Sequence, residues 1–167
     1  MVTFYRFAMA ISPKIVPYSD TYRKAFRILN EEWINTYFKM EEADRVSLHH
    51  PKENILDKGG YIAVALLENE PVGVCALIPS KHDGYDFELA KMGVSPKAQG
   101  KGIGKLLGMH IVDKAKSLGA QKLYLESNRI LQPALNLYRK LGFVEIVGVS
   151  SPYERSDIQM ELVLENG

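Results

Sequence analysis

Apolar residues recur along this chain with two different periods, and each change of period marks an element. Between Asp20 and Met40, Phe26, Leu29, Trp33 and Tyr37 stand three or four apart, which predicts a helix with one buried stripe, capped by Ser19 or Asp20. Ile103, Leu106, Leu107, Ile111, Ala115 and Leu118 form a second stripe, over Ile103 to Leu118, ended by Gly119. A third, Ala134, Leu137, Tyr138 and Leu141, enters through Pro133 and closes at Gly142. Elsewhere the pattern is that of strands. Tyr61 to Leu67 and Val72 to Ile78 are rich in Val, Ile, Leu and Ala, and the turn Glu68-Asn69-Glu70-Pro71 joins them as an antiparallel hairpin. Tyr85 to Val94, Leu123 to Glu126, Phe143 to Val149 and Ile158 to Leu164 read as further strands, the last two as an antiparallel edge. Met1 to Tyr18 reads as one strand interrupted by Pro13 and Pro17, and Lys52 to Lys58 as a short helix or loop. The helix between Val94 and Leu123 makes a crossover long enough for those two strands to pair in parallel.

The most informative stretch is where the strand ending at Val94 gives way to the helix starting at Ile103. Gly100, Gly102 and Gly104 occupy alternate positions there, so a ligand can approach the backbone closely. The first turn of the helix offers N–H groups without intrahelical partners and the positive end of its dipole, which suits a phosphate. Lys101 and Lys105 add whole charges. A nucleotide P-loop fails on the spelling: Gln99 stands where its first glycine belongs, and Leu106 follows Lys105 where a hydroxyl should hold magnesium. A dinucleotide fingerprint fails too, with Leu107 at its third glycine.

Gln99-Gly100-Lys101-Gly102-Ile103-Gly104 resembles the pyrophosphate-binding signature of the GNAT superfamily of N-acetyltransferases. Ala134-Leu135-Asn136-Leu137-Tyr138-Arg139-Lys140-Leu141-Gly142-Phe143 resembles a second segment of that family, in the right order along the chain. The match is firm over about Glu88 to Val147. The resemblance implies one mixed α/β domain over residues 1–167: a twisted, mostly antiparallel central sheet, helices on both faces, splayed where the glycine-loop strand meets the next. It implies acetyl-CoA as co-substrate, with Gln99, Gly100, Lys101, Gly102, Gly104 and Lys105 at its diphosphate and no metal. The backbone of Met92, Gly93 and Val94 then pairs with the pantetheine arm and the acetyl carbonyl.

Acetyl transfer to a primary amine of a small molecule, peptide or protein is the implied activity, and an amine acceptor the implied partner. Tyr138 matches the family's helix tyrosine, usually assigned as general acid; with an ordinary pKa of roughly 10 it holds a proton to donate. Its alternative is a core aromatic whose hydroxyl is satisfied elsewhere. By the resemblance Glu88 is the candidate base, at a position where some members carry one acting directly or through water; a carboxylate in a partly apolar cleft has its pKa raised toward neutrality and so can accept a proton. The competing reading is an exposed edge carboxylate, and Glu126 stands in reserve. Many members carry an asparagine seven positions before the tyrosine, where this chain has Leu131; Asn128 either takes over that cofactor contact or caps the helix. Gly93 marks a bulge or a close backbone approach, or else only relieves crowding under a helix. A non-catalytic acyl-CoA-binding sensor or interaction module is the competing function.

Composition narrows this further. Basic and acidic residues nearly balance, 21 against 20, so nothing suggests broad attraction to nucleic acid or membrane. No apolar run reaches the ~20 residues of a membrane helix, and a cytoplasmic location is expected. The single cysteine, Cys75, lies in an apolar run and reads as a buried small hydrophobe. His49-His50-Pro51 has no ligand partners at metal spacing. Glu31, Glu32, Glu41, Glu42 and Asp44 face one base, Lys39: a solvated helix face, or, by the resemblance, an acceptor site for a cationic amine. Homodimers are common in the family. Ser150 to Asp157, with Pro152, Tyr153 and Arg155, is expected to border the acceptor site.

Overall fold

Residues 11–165 are described by a computed structural model, in which strand alternation sorts the side chains into two cores. Along β2 (Tyr61–Leu67), Ile62, Val64 and Leu66 face one layer of helices, whereas Ala63 and Ala65 face the other. Both sets are buried, so helices cover both faces of the sheet, as expected. Seven strands lie in the order β1-β2-β3-β4-β5-β7-β6: β1 (Lys14–Pro17), β2, β3 (Glu70–Pro79), β4 (Phe87–Val94), β5 (Lys122–Ser127), β7 (Ile158–Val163) and β6 (Val144–Ile146). Every pairing is antiparallel except β4 with β5. The part of the expected first strand before Ile11 lies outside the described residues.

The helix expected over Asp20 to Met40 forms over a shorter span. A 3-10 turn (Asp20–Tyr22) leads into α1 (Arg23–Tyr37), and a separate α2 (Glu42–His49) follows. Neither Ser19 nor Asp20 caps α1 through its side chain; α1 buries Phe26, Leu29, Asn30 and Ile34, while Tyr37 is exposed. The amide of buried Asn30 donates to the Phe26 carbonyl and accepts from the Trp33 indole, so a polar group occupies the stripe without loss. The start of α2 is fixed by reciprocal bonds between Glu41 and Asp44. On the other face, α3 (Ile103–Ser117) crosses β3 and packs on α4 (Gln132–Leu141).

Two irregularities open the sheet beside β4. β4 and β5 pair only at Phe87 with Leu123 and Glu88 with Tyr124; beyond these positions the strands part. The result is a wedge, closed at Glu88 and open toward Val94 and Ser127. Opposite it, the register of β4 on β3 slips by one residue between Val74–Gly93 and Ala76–Ala90, a bulge centred on Lys91, whose φ is +52°. The bulge therefore sits ahead of Gly93. Gly93 itself serves close packing: a Cβ there would lie 2.5 Å from the Leu29 carbonyl oxygen and 3.2 Å from the Trp33 ring. Because the nearest obstacle is helix backbone, Gly93→Ala is expected to cost roughly 1–3 kcal/mol through overpacking. A urea midpoint equal to that of the unaltered protein would refute this account of α1 on β4.

Candidate active site

The glycine loop separates into parts with different duties. Gly100 and Gly102 adopt φ of +78° and +74°, and an added Cβ at either would meet no protein atom within 4 Å. Their lack of a side chain answers the left-handed backbone and leaves the loop face open to a ligand. Gly104 is different: its Cα faces the Leu137 side chain, which a Cβ would meet at 3.3 Å, so this glycine sets the distance between α3 and α4. Gly102 is the N-cap of α3, and the Leu106 N–H is bonded to its carbonyl, so the N–H groups of Ile103, Gly104 and Lys105 precede the first intrahelical bond. Lys101 and Lys105 are exposed on either side. The Gln99 amide folds back to donate to the Val94 carbonyl at 3.4 Å, tying the loop to the end of β4. Backbone donors, open glycines and two ammonium groups fit a diphosphate.

Alternation then assigns the wedge its chemistry. Phe87, Leu89, Leu123 and Leu125 belong to the core under α3 and α4, so Glu88, Tyr124 and Glu126 share the opposite face. Tyr124 is fully buried beneath the rings of His82 and Tyr85, 4.4 and 5.4 Å away between centroids. Its hydroxyl donates to Glu126 at 3.0 Å. Burial pushes the Glu88 carboxyl up to about 7, and the neighbouring Glu126 carboxylate pushes it the same way, against the pull of Lys91 and Lys81. Of these two carboxylates, Glu126 is the one already held by a donor.

Tyr138 lies in the core on the other face of the sheet. Its ring packs in the α3–α4 core, edge-on to Phe143 at 6.2 Å, and burial raises its pKa well above that of free tyrosine, keeping it protonated. Among the described residues every buried side-chain nitrogen or oxygen has a partner, and none bonds the Tyr138 hydroxyl, which is thus the free polar tip of an otherwise buried ring. Cys75 is fully buried and burial raises its pKa steeply, so it stays a thiol within the core.

Two expectations meet a different environment. Asn128 donates to the Arg155 carbonyl at 2.6 Å and accepts from the Ile130 N–H at 2.9 Å, which leaves one N–H and one lone pair of its amide. The acidic run between Glu31 and Asp44 is not a uniform solvated face. Glu42 pairs with Arg45, and Glu31 lies 4.0 Å from Arg27 and 3.6 Å from His49. Asp44 is fully buried and takes two hydrogen bonds from Arg155, at 2.6 and 2.7 Å, and one from Lys91 at 3.2 Å; Glu41 also meets Arg155, at 3.3 Å. The segment carrying Tyr153 and Arg155 therefore lies against the start of α2 and the β4 residue Lys91. Local charge counting missed these partners because they lie more than 40 and more than 100 residues away.

Comparison with known proteins bears on the family and the fold. A family model described as "Acetyltransferase (GNAT) family" matches residues 22–143. Over 80 residues the chain is 36% identical to an uncharacterized N-acetyltransferase of Escherichia coli (strain K12), YjgM, a stretch that is 47% of this chain and 48% of that one. This chain thus matches about half the length of that relative. An acetyltransferase of the GNAT family from Staphylococcus aureus Mu50 shares the fold at a TM-score of 0.81 and 22% identity, over 92% of this chain and all of the other. Salmonella typhimurium yncA, solved with its cofactor acetyl-CoA, shares it at a TM-score of 0.72 and 19% identity, over 93% and 96% of the two chains.

Proposed function

We propose that this chain, which belongs to the acetyltransferase (GNAT) family, moves the acetyl group of acetyl-CoA directly to a primary amine of a small molecule, peptide or protein. The observation that carries this reading is the wedge between β4 and β5, with an open glycine loop at its open end and a raised carboxyl on one face; a protonated phenol lies in the core on the other face of the sheet. Gln99, Gly100, Lys101, Gly102, Gly104 and Lys105 hold the diphosphate. The unpaired edge of β4 at Met92, Gly93 and Val94 supplies backbone partners for the pantetheine arm, and Asn128 has capacity for one further contact.

Glu88 takes a proton from the incoming ammonium. The amine nitrogen then forms its bond to the thioester carbon, the carbon–sulfur bond breaks, the departing CoA sulfur receives the Tyr138 proton, and the second proton that the nitrogen sheds on becoming an amide restores the Tyr138 phenol. Nothing covalent forms on the enzyme, and orientation of two bound reactants provides much of the acceleration. Glu88 is preferred to Glu126 as base because Glu126 already accepts a hydrogen bond from Tyr124, which occupies its Oε2.

Tyr138→Phe tests the acid. The ring is buried and phenylalanine fills nearly the same space, so the fold and the acetyl-CoA dissociation constant are expected to hold within about twofold. Turnover, followed by release of CoA thiol, is expected to fall on the order of 100-fold, the usual scale of one general acid. Turnover equal to that of the unaltered protein would remove the assignment.

A further inference from the structure

The bulge of β4 places a lysine where glycine would be easier. Lys91 adopts a φ of +52°, a left-handed conformation that a side chain disfavours. Its ammonium is nonetheless buried, the side chain 7% exposed, and meets three groups from other parts of the chain. It donates to Asp44 of α2 at 3.2 Å and to the Tyr153 hydroxyl at 3.0 Å, and lies 4.9 Å from the centre of the Tyr153 ring. Arg155 completes the cluster, bidentate on Asp44 and 4.6 Å from the same ring. Burial alone pushes the Asp44 carboxyl upward, but the Arg155 bonds and the Lys91 charge outweigh it and hold it below the ordinary range. All of this lies three residues along β4 from Glu88.

We propose that Lys91 is a positioning residue for the acceptor side: its ammonium locks the β4 bulge, the first turn of α2 and the segment bearing Tyr153 and Arg155 into one wall beside Glu88. The inference rests on the reading of Glu88 as the base. The wall acts in two ways. It fixes the backbone from which Met92 and Gly93 face the wedge, and it keeps a cation near Glu88. The other groups acting on Glu88 are Glu126 and Tyr124 from β5, and Lys81 from the turn between β3 and β4. Lys81 and Lys91 are the cations that oppose the carboxylate of Glu126, and Lys91 is the one that also holds the wall.

Lys91→Met is the decisive variant, because Asp44 keeps both Arg155 bonds and the fold retains its buried ion pair. Two readouts need no activity. Chymotryptic cleavage after Tyr153 is expected to quicken about tenfold, and the carbon-13 titration midpoint of the Glu88 carboxyl, assigned with Glu88→Gln, is expected to move to higher pH. In turnover, kcat/KM for the amine at pH 7 is expected to fall about tenfold while acetyl-CoA affinity stays within twofold. Lys91→Gly, which accepts the left-handed backbone freely, is expected to behave like Lys91→Met. If Lys91→Gly matches the unaltered protein, or if neither activity-free readout moves in Lys91→Met, the proposal is wrong. If both readouts move and the unaltered protein acetylates no amine, the positioning role stands and the proposed function falls.

Discussion

Gly102→Glu is expected to raise the dissociation constant for acetyl-CoA by on the order of 100-fold, read by calorimetric titration. Three effects act together. Gly102 holds a φ of +74°, where a glutamate costs of order 1–3 kcal/mol of strain. The new side chain enters the open space before the loop, where no protein atom lies within 4 Å of a Cβ. Its charge opposes a diphosphate at a helix N-terminus, whose dipole favours anions by typically 0.3–1 kcal/mol. Gly102→Ala, which keeps only the strain, is expected to weaken binding several-fold. Because Gly102 faces no packed core, both variants are expected to remain folded. Undiminished binding by Gly102→Glu would place the diphosphate elsewhere, and the reading of the loop would have to be given up.

The second large effect is at Glu88. Glu88→Gln is expected to lower kcat about 100- to 1000-fold near neutrality, within the range for loss of a general base. With its carboxyl at about 7, the unaltered protein should lose activity roughly tenfold per pH unit below that value, as the base becomes protonated. That limb is expected to vanish in Glu88→Gln. Stability should move the other way. In the native state Glu88 holds its proton up to about 7, whereas the unfolded chain releases it near 4.5. The native state therefore binds more protons between those values, and its stability declines as pH rises through them. Glu88→Gln, which carries no charge, is expected to match the unaltered protein at pH 4 and exceed it at pH 8. An unchanged pH–rate profile in the variant would exclude Glu88 as base and return the question to Glu126.

The parts of this molecule legible from its sequence are those fixed by local patterning. The stripe from Ile103 to Leu118 and the hairpin from Tyr61 to Ile78 form elements close to their expected bounds. The alternate glycines were legible as a loop, but not their separate duties. Gly100 and Gly102 answer the backbone, whereas Gly104 answers Leu137, a side chain more than 30 residues away. Gly93 was readable as bulge, close approach or relief of crowding under a helix; the structure supports the last, with Leu29 as the obstacle, and places the bulge on Lys91. The acidic stretch was the least legible region. Asp44 looks like one more surface carboxylate until the fold brings Arg155 and Lys91 to it. Patterning also ran α1 on to Met40, because the reciprocal bonds of Glu41 and Asp44 that start a second helix are a matter of backbone geometry.

The central claim is that the wedge between β4 and β5 carries acetyl from CoA to nitrogen. Its most direct test is a single turnover: the protein preloaded with carbon-13-labelled acetyl-CoA, mixed with a panel of amines, amino acids and peptides, and analysed by mass spectrometry. Acetyl-CoA transfer is expected to place the label on an amine nitrogen, release one CoA thiol per acetyl group and leave the protein unlabelled. Tight acetyl-CoA binding with no labelled product from any amine would contradict the account and leave an acyl-CoA-binding module in its place.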